Sequence, residues 1–241
     1  MVLIAGTIIV MVLYIVLDMY RQTREIMLLE QIRRMSRWAV IQHAMLALSF
    51  ILLVVTGFAL RFADSWWAVL LYGREGGFPI RNLAHRIAAV IFVSTALMHL
   101  IYLSSSRGSS FVKDVFPRLR DLKELILMLR YNLGFADQRP AFGRFSYIEK
   151  FEYWALVWGA MIMSVTGSML WFDNFFVQFL PKGVLDVVLV IHYCEAWLAT
   201  LSILIWHLYS TVFNPRVYPM NPSWITGTMP KEQYIHEHPD E

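Results

Sequence analysis

Apolar residues in this chain come in long blocks separated by short charged stretches, with no alternation of apolar and polar positions. Five blocks reach or approach the ~20 residues that cross a bilayer as a helix: Val2 to Tyr20, Trp38 to Leu60, Leu83 to Leu103, Phe151 to Phe172, and Val184 to Phe213. The last is long enough to project beyond the hydrocarbon. The pattern predicts an all-α integral membrane protein with an N-terminal transmembrane helix (1–20), a basic linker (21–37), a four-helix bundle (38–213) and a tail (214–241). No basic residue precedes the first block and no small-residue cleavage site follows it, so it reads as a retained helix, not a secretory signal. Between the third and fourth blocks, "PRLRDLKELILMLRYNLG" sets Leu119, Leu122, Leu125, Leu129 and Leu133 on one side with charges opposite. This predicts an interfacial helix within 111–134, roofing the bundle or anchoring to membrane lipid. Pro215, Pro219 and Pro222 should stop the last helix.

Composition agrees with this pattern: 58% of the residues are hydrophobic and only 16% charged, which excludes an ordinary soluble domain. Arg21, Arg24, Arg33, Arg34 and Arg37 crowd the first loop, and a further set from Arg107 to Lys150 fills the third. The segment from Arg61 to Arg81 holds three arginines and the last turn only Lys182. Basic loops stay cytoplasmic, so the N-terminus is expected outside and the tail inside, in a multi-pass protein of the bacterial inner membrane. The net charge of +3 then follows from topology, and no nucleic-acid partner is expected. Cys194 is the only cysteine, which excludes disulfides, a thiolate-held iron–sulfur cluster within the chain and covalent haem attachment. Trp66, Trp67, Trp171 and Trp224 fit interfacial belts.

The chain also repeats itself. Residues 55–64 read VTGFALRFAD and 165–174 read VTGSMLWFDN. The helix after each carries a matched histidine pair, His85 with His99 and His192 with His207. Arg34 stands nine residues before His43 as Arg144 stands nine before Tyr153. The bundle therefore reads as two copies of a helical hairpin, with Gly57 and Gly167 at equivalent points that permit close approach of a helix or a flat ligand.

Ionisable groups inside a span are costly and mark function. With alternating helix directions, His85 and His192 fall near the outer face, and His43, His99 and His207 near the cytoplasmic face. Steps of 14 and 15 residues return within ~40° and ~60° of the starting face and climb about 21 Å. Two layers of imidazoles result, each able to hold a haem iron from both sides. Zinc would need a tighter ligand set, and Glu195 is the carboxylate well inside a span where a proton relay would want several. The alternatives are a non-catalytic anchor or a proton-relay transporter subunit. His236 and His238, among the acids of "HEHPDE", read as solvated.

The stretches "QHAMLALSFILLVVTGFALRF", "LAHRIAAV", "IHYCEAWLA" and "FNPRVYPMN" resemble the di-haem cytochrome b subunits that anchor respiratory formate dehydrogenases, nickel–iron hydrogenases and related reductases, the bacterial cytochrome b561-like group. Within it the chain looks like members that accompany periplasmic multihaem cytochromes c. The resemblance covers about Arg33 to Asn214 and leaves the first helix outside. It implies two haem b groups, the outer held by His85 and His192 and the inner by His43 and His207. The internal repeat favours His99 with His207 for the inner haem, so His99 stands as the alternative ligand, and a third haem would lack one histidine. The residual histidine is then a candidate to bond a quinone, together with Asn214. Arg34, Arg37 and Arg86 are candidates for haem propionates, since a guanidinium matches a carboxylate. The resemblance further implies menaquinone or ubiquinone as electron partner. It also implies a hetero-oligomeric respiratory complex with a periplasmic redox subunit, either a multihaem cytochrome c or an iron–sulfur protein.

Overall fold

A computed structural model describes residues 2–73 and 77–239. Arg74, one of the arginines of the Arg61–Arg81 segment, and the terminal Asp240 and Glu241 lie outside the described residues. Among those described, five helices are long and apolar enough to cross a membrane. They are α1 (Val2–Met27), α2 (Arg37–Arg61), α4 (Gly77–Leu103), α7 (Tyr147–Trp171), and α9 (Lys182–Leu201), which runs on in π form through Ser202–His207 and Tyr209–Phe213. A short α3 (Trp66–Tyr72) joins α2 to α4, and α8 (Asp173–Phe176) joins α7 to α9. Helices α5 (Ser106–Val115) and α6 (Leu119–Asn132) lie between α4 and α7.

Polar caps start these helices where the apolar blocks begin. Ser36 accepts the Ala39 N–H at the head of α2, and Ser146 with Glu149 forms a reciprocal capping box at the head of α7. Helix α1 runs seven residues into the stretch expected to be linker. The reason is local: Gln22 bonds Asp18 and Arg21 pairs with Glu25, both one turn apart.

Packing follows the predicted hairpins, α2 along α4 and α7 along α9, with sparser contact between the two pairs. The side chains that turn inward are small and polar. Thr56, Thr95, Thr166 and Thr200 each donate to the carbonyl one turn back, which satisfies the hydroxyl without a partner helix. Large apolar residues such as Leu48, Ile51, Val90, Leu97, Val165 and Leu198 face outward, as lipid contact requires. The leucines of α6 are also exposed. Their helix is tied to α7 on its other side by Lys150 to Asp121 at 2.7 Å, beside a Glu124 carboxyl that burial pushes up.

Outer and inner here denote the ends away from and next to the basic loops. The inner end carries a feature absent from the apolar pattern, a two-stranded antiparallel ribbon. Strand β1 (Gln31–Arg33) of the linker pairs with β2 (Thr228–Pro230) of the tail, Ile32 opposite Met229. Between them Gly227 adopts φ +79°, and its carbonyl accepts the N–H groups of Arg34 and Met35. A side chain there would be strained by that φ and would meet the Met35 carbonyl at 2.7 Å. The ribbon folds α10 (Ser223–Thr226) onto α2 and leads into α11 (Lys231–Glu237).

The expectation that His236 and His238 are both solvated is corrected for one of them. His236 is exposed, but His238 is buried, its Nδ1 bonded to the Gly143 carbonyl at 2.7 Å, because the ribbon brings α11 back over the loop before α7.

Candidate functional site

The outer layer is built from the two hairpins in the same way. In the first, Thr56 Oγ1 donates its proton to the Leu52 carbonyl at 2.6 Å and lies 2.9 Å from His85 Nδ1. In the second, Thr166 Oγ1 donates to the Ile162 carbonyl at 2.7 Å and lies 2.8 Å from His192 Nδ1. A hydroxyl has one proton to give, so each imidazole must be the donor, from Nδ1–H. The tautomer thus fixed leaves both Nε2 lone pairs free, the form in which a histidine ligates a metal. The glycine after each threonine makes room for the ring. A Cβ on Gly57 would stand 3.1 Å from His85 Cε1, and one on Gly167 3.3 Å from His192 Cε1. These glycines seat a histidine, not a helix or a flat ligand directly.

The inner layer is unequal. His43 on α2 and His207 on the π segment of α9 face each other with ring centroids 6.4 Å apart. An iron held between two imidazole nitrogens at about 2.0–2.1 Å on each side would put the centroids roughly 6–6.5 Å apart. His207 Nδ1 meets the Glu152 carboxylate at 3.0 Å, and Ser210 donates to the other oxygen at 2.8 Å. This is the outer-shell carboxylate that fixes a ligating imidazole. His43 Nδ1 is buried with no hydrogen-bond partner, and the Trp224 ring of α10 lies 6.1 Å away. His99 is engaged elsewhere. Its Nε2 is 3.2 Å from the Tyr153 hydroxyl, with Phe111 and Tyr102 around it.

Winding explains how His207 reaches this position. On a regular α-helix the 15-residue step from His192 would miss its starting face by ~60°. The π turns over Ser202–His207 take up one residue, which makes the step equivalent to the 14-residue one between His85 and His99.

The donor set fits a haem: His43 faces His207 in the inner layer, His85, His192 and His207 each have Nδ1 held by a neighbour, and no group of three His, Cys, Asp or Glu lies near enough to hold a bare ion among the described residues.

The other candidates separate. Arg34 bonds Glu149 at 2.9 Å and the Tyr234 hydroxyl, and lies over the Phe145 ring, so it clamps the tail to α7. Arg86 lies 5.0 Å over the Trp171 ring, while Arg37 is exposed at the head of α2. The Asn214 carbonyl oxygen Oδ1 accepts the Arg216 N–H, a turn that ends the π segment. Glu152, Thr56, Thr166 and Trp224 were not singled out as site residues from sequence. Both threonines sat in view in the repeated VTG, and Glu152 at the edge of the fourth block.

No curated protein matches the chain. The family described as prokaryotic cytochrome b561 matches residues 34–220, which takes in α2 through α9 with every histidine of both layers. The chain therefore belongs to the prokaryotic cytochrome b561 family of haem b membrane electron-transfer subunits.

Proposed function

We propose that this chain carries two haem b groups, one in each layer, and passes electrons across the bacterial inner membrane between a quinone and a periplasmic redox subunit. His85 and His192 hold the outer haem; His43 and His207 hold the inner one. The single observation that carries this reading is the facing of His43 and His207 at 6.4 Å, with Glu152 behind one of them. Each haem, when bound, supplies a ferric–ferrous couple that accepts and releases one electron. The protein's own part is to orient the imidazoles, His85 through Thr56, His192 through Thr166 and His207 through Glu152.

A quinone exchanges two protons with its two electrons, so it needs a protonic group at the inner end. His99 with Tyr153 is a hydrogen-bonded pair at that level outside the assigned haem ligands, and we assign the proton exchange to it. Asn214, committed to its turn, is left to shape the adjoining surface. At the outer end the partner is a multihaem cytochrome c or an iron–sulfur protein, in a complex of unlike subunits.

The test is optical. The purified chain, reduced with dithionite, should show the α-band of low-spin haem b, and a pyridine haemochrome should count two haems per chain. Alanine at His85 or His192 should remove one haem and alanine at His43 the other, while His99→Ala keeps both and slows quinone turnover. A chain without haem, or one that loses the inner haem with His99 and keeps it without His43, defeats the assignment.

A further inference from the structure

Arg81 is a buried cation without an acceptor for its Nε and Nη1 among the described residues. It stands on α4 one turn before His85, on the same face of the helix. The residue is 4% exposed, and its Nε and Nη1 reach no acceptor among the described residues. By contrast, Arg34 and Arg144 meet carboxylates and Arg61 and Arg86 lie over aromatic rings, while Arg139, whose Nε also lacks a partner, lies in the loop before α7, away from both histidine layers. A guanidinium stays charged in proteins, so burial without a counter-charge is unfavourable unless an anion completes the site. Its planar fork selects a carboxylate or a phosphate.

The position narrows that choice. Four residues, about 6 Å of helix, separate the levels of Arg81 and His85, and Arg81 lies toward the outer surface. A ligand centred at His85 that carries acid groups outward meets Arg81 at their level. We infer that Arg81 pairs with a propionate of the outer haem and raises that haem's potential. The inference rests on the haem assignment above and adds a residue to it. The pair neutralises a carboxylate beside the iron, which favours the ferrous state.

The experiment uses the full-length chain in detergent, with both haems titrated optically. Arg81→Gln should shift the outer haem's one-electron equilibrium toward ferric by about three- to tenfold, tenfold being 59 mV. The inner haem should not move. Arg81→Lys, which keeps the charge, should recover most of the shift. In a His192→Ala background, which lacks the outer haem, Arg81→Gln should leave the remaining potential unchanged.

A wild-type chain with two haems whose potentials both stay within twofold in Arg81→Gln overturns the inference and leaves the haem assignment standing. A wild-type chain without haem overturns the assignment itself. Haem-free protein gives a second measurement. Because Arg81 Nε and Nη1 make no bond among the described residues, haem-free Arg81→Gln should melt no lower than haem-free wild type. A lower melting point marks a purely structural arginine and also overturns the inference.

Discussion

The side chain that decides whether an imidazole can ligate a metal is often the one behind it. Thr56→Val and Thr166→Val remove the acceptor of the Nδ1 proton while keeping the shape. Each should weaken haem retention by about ten- to a hundredfold, the usual cost of losing such an outer partner, and haem content after detergent washing measures it. Gly57→Ala should cost more than Gly167→Ala, since the new Cβ stands 3.1 Å from its histidine in one case and 3.3 Å in the other. Glu152→Gln weakens the donation that makes His207 a strong ligand for ferric iron, so the inner haem's potential should rise, as read by redox titration. At this scale the sequence showed which residues were out of place in a membrane, because a histidine in an apolar block needs no structure to be noticed. It did not show their partners, since a threonine inside a span is cheap when its hydroxyl bonds its own helix. Only the fold reveals that the same oxygen serves an imidazole.

The five long helices were legible as hydropathy blocks, with ends that differ by up to seven residues where charged or polar residues extend the helix beyond its apolar block. Winding was not. The π turns before His207 come from one residue more than the neighbouring hairpin has, and no periodicity rule distinguishes that from a ligand off its face. Deleting the exposed Leu204 should let the segment relax to α form and keep both haems, while an alanine inserted after Leu204 should cost the inner haem. The prolines mark where the last helix stops, but the tail's strand pairing with the linker joins residues about 200 positions apart, beyond local pattern. Its docking is predicted to depend on pH. Burial pushes the Glu237 carboxyl above its ordinary value, against the pull of Gln233, His238 and Arg34 and with the push of Glu149. A raised value in the docked state means that docking is fully favoured below the ordinary carboxylate range and weakens as pH rises through the raised one. Proteolysis of the tail should accordingly quicken as pH rises, and Glu237→Gln should flatten the profile.

For the whole molecule, the exposed apolar faces and the basic inner end make one prediction of orientation. A fluorescent protein fused after Glu241 should fold and fluoresce in the cytoplasm, and alkaline phosphatase fused before Met1 should be active outside. Reversal of either signal would exchange outer and inner throughout. The architecture was readable almost in full from block lengths and the repeat. What the repeat could not supply was the choice between its own two inner positions, because it relates His43 to Tyr153 and His207 to His99 without saying which helices face each other.

His43 opposes His207 at 6.4 Å, and the duplicated counterpart of that pair, Tyr153 with His99, opposes at 5.9 Å. Codons for tyrosine and histidine differ by a single base. The single substitution Tyr153→His would therefore give the chain two facing histidine pairs at its inner end. Its asymmetry puts two imidazoles in contact on one side of the inner end, and an imidazole with a phenol that can carry a proton on the other.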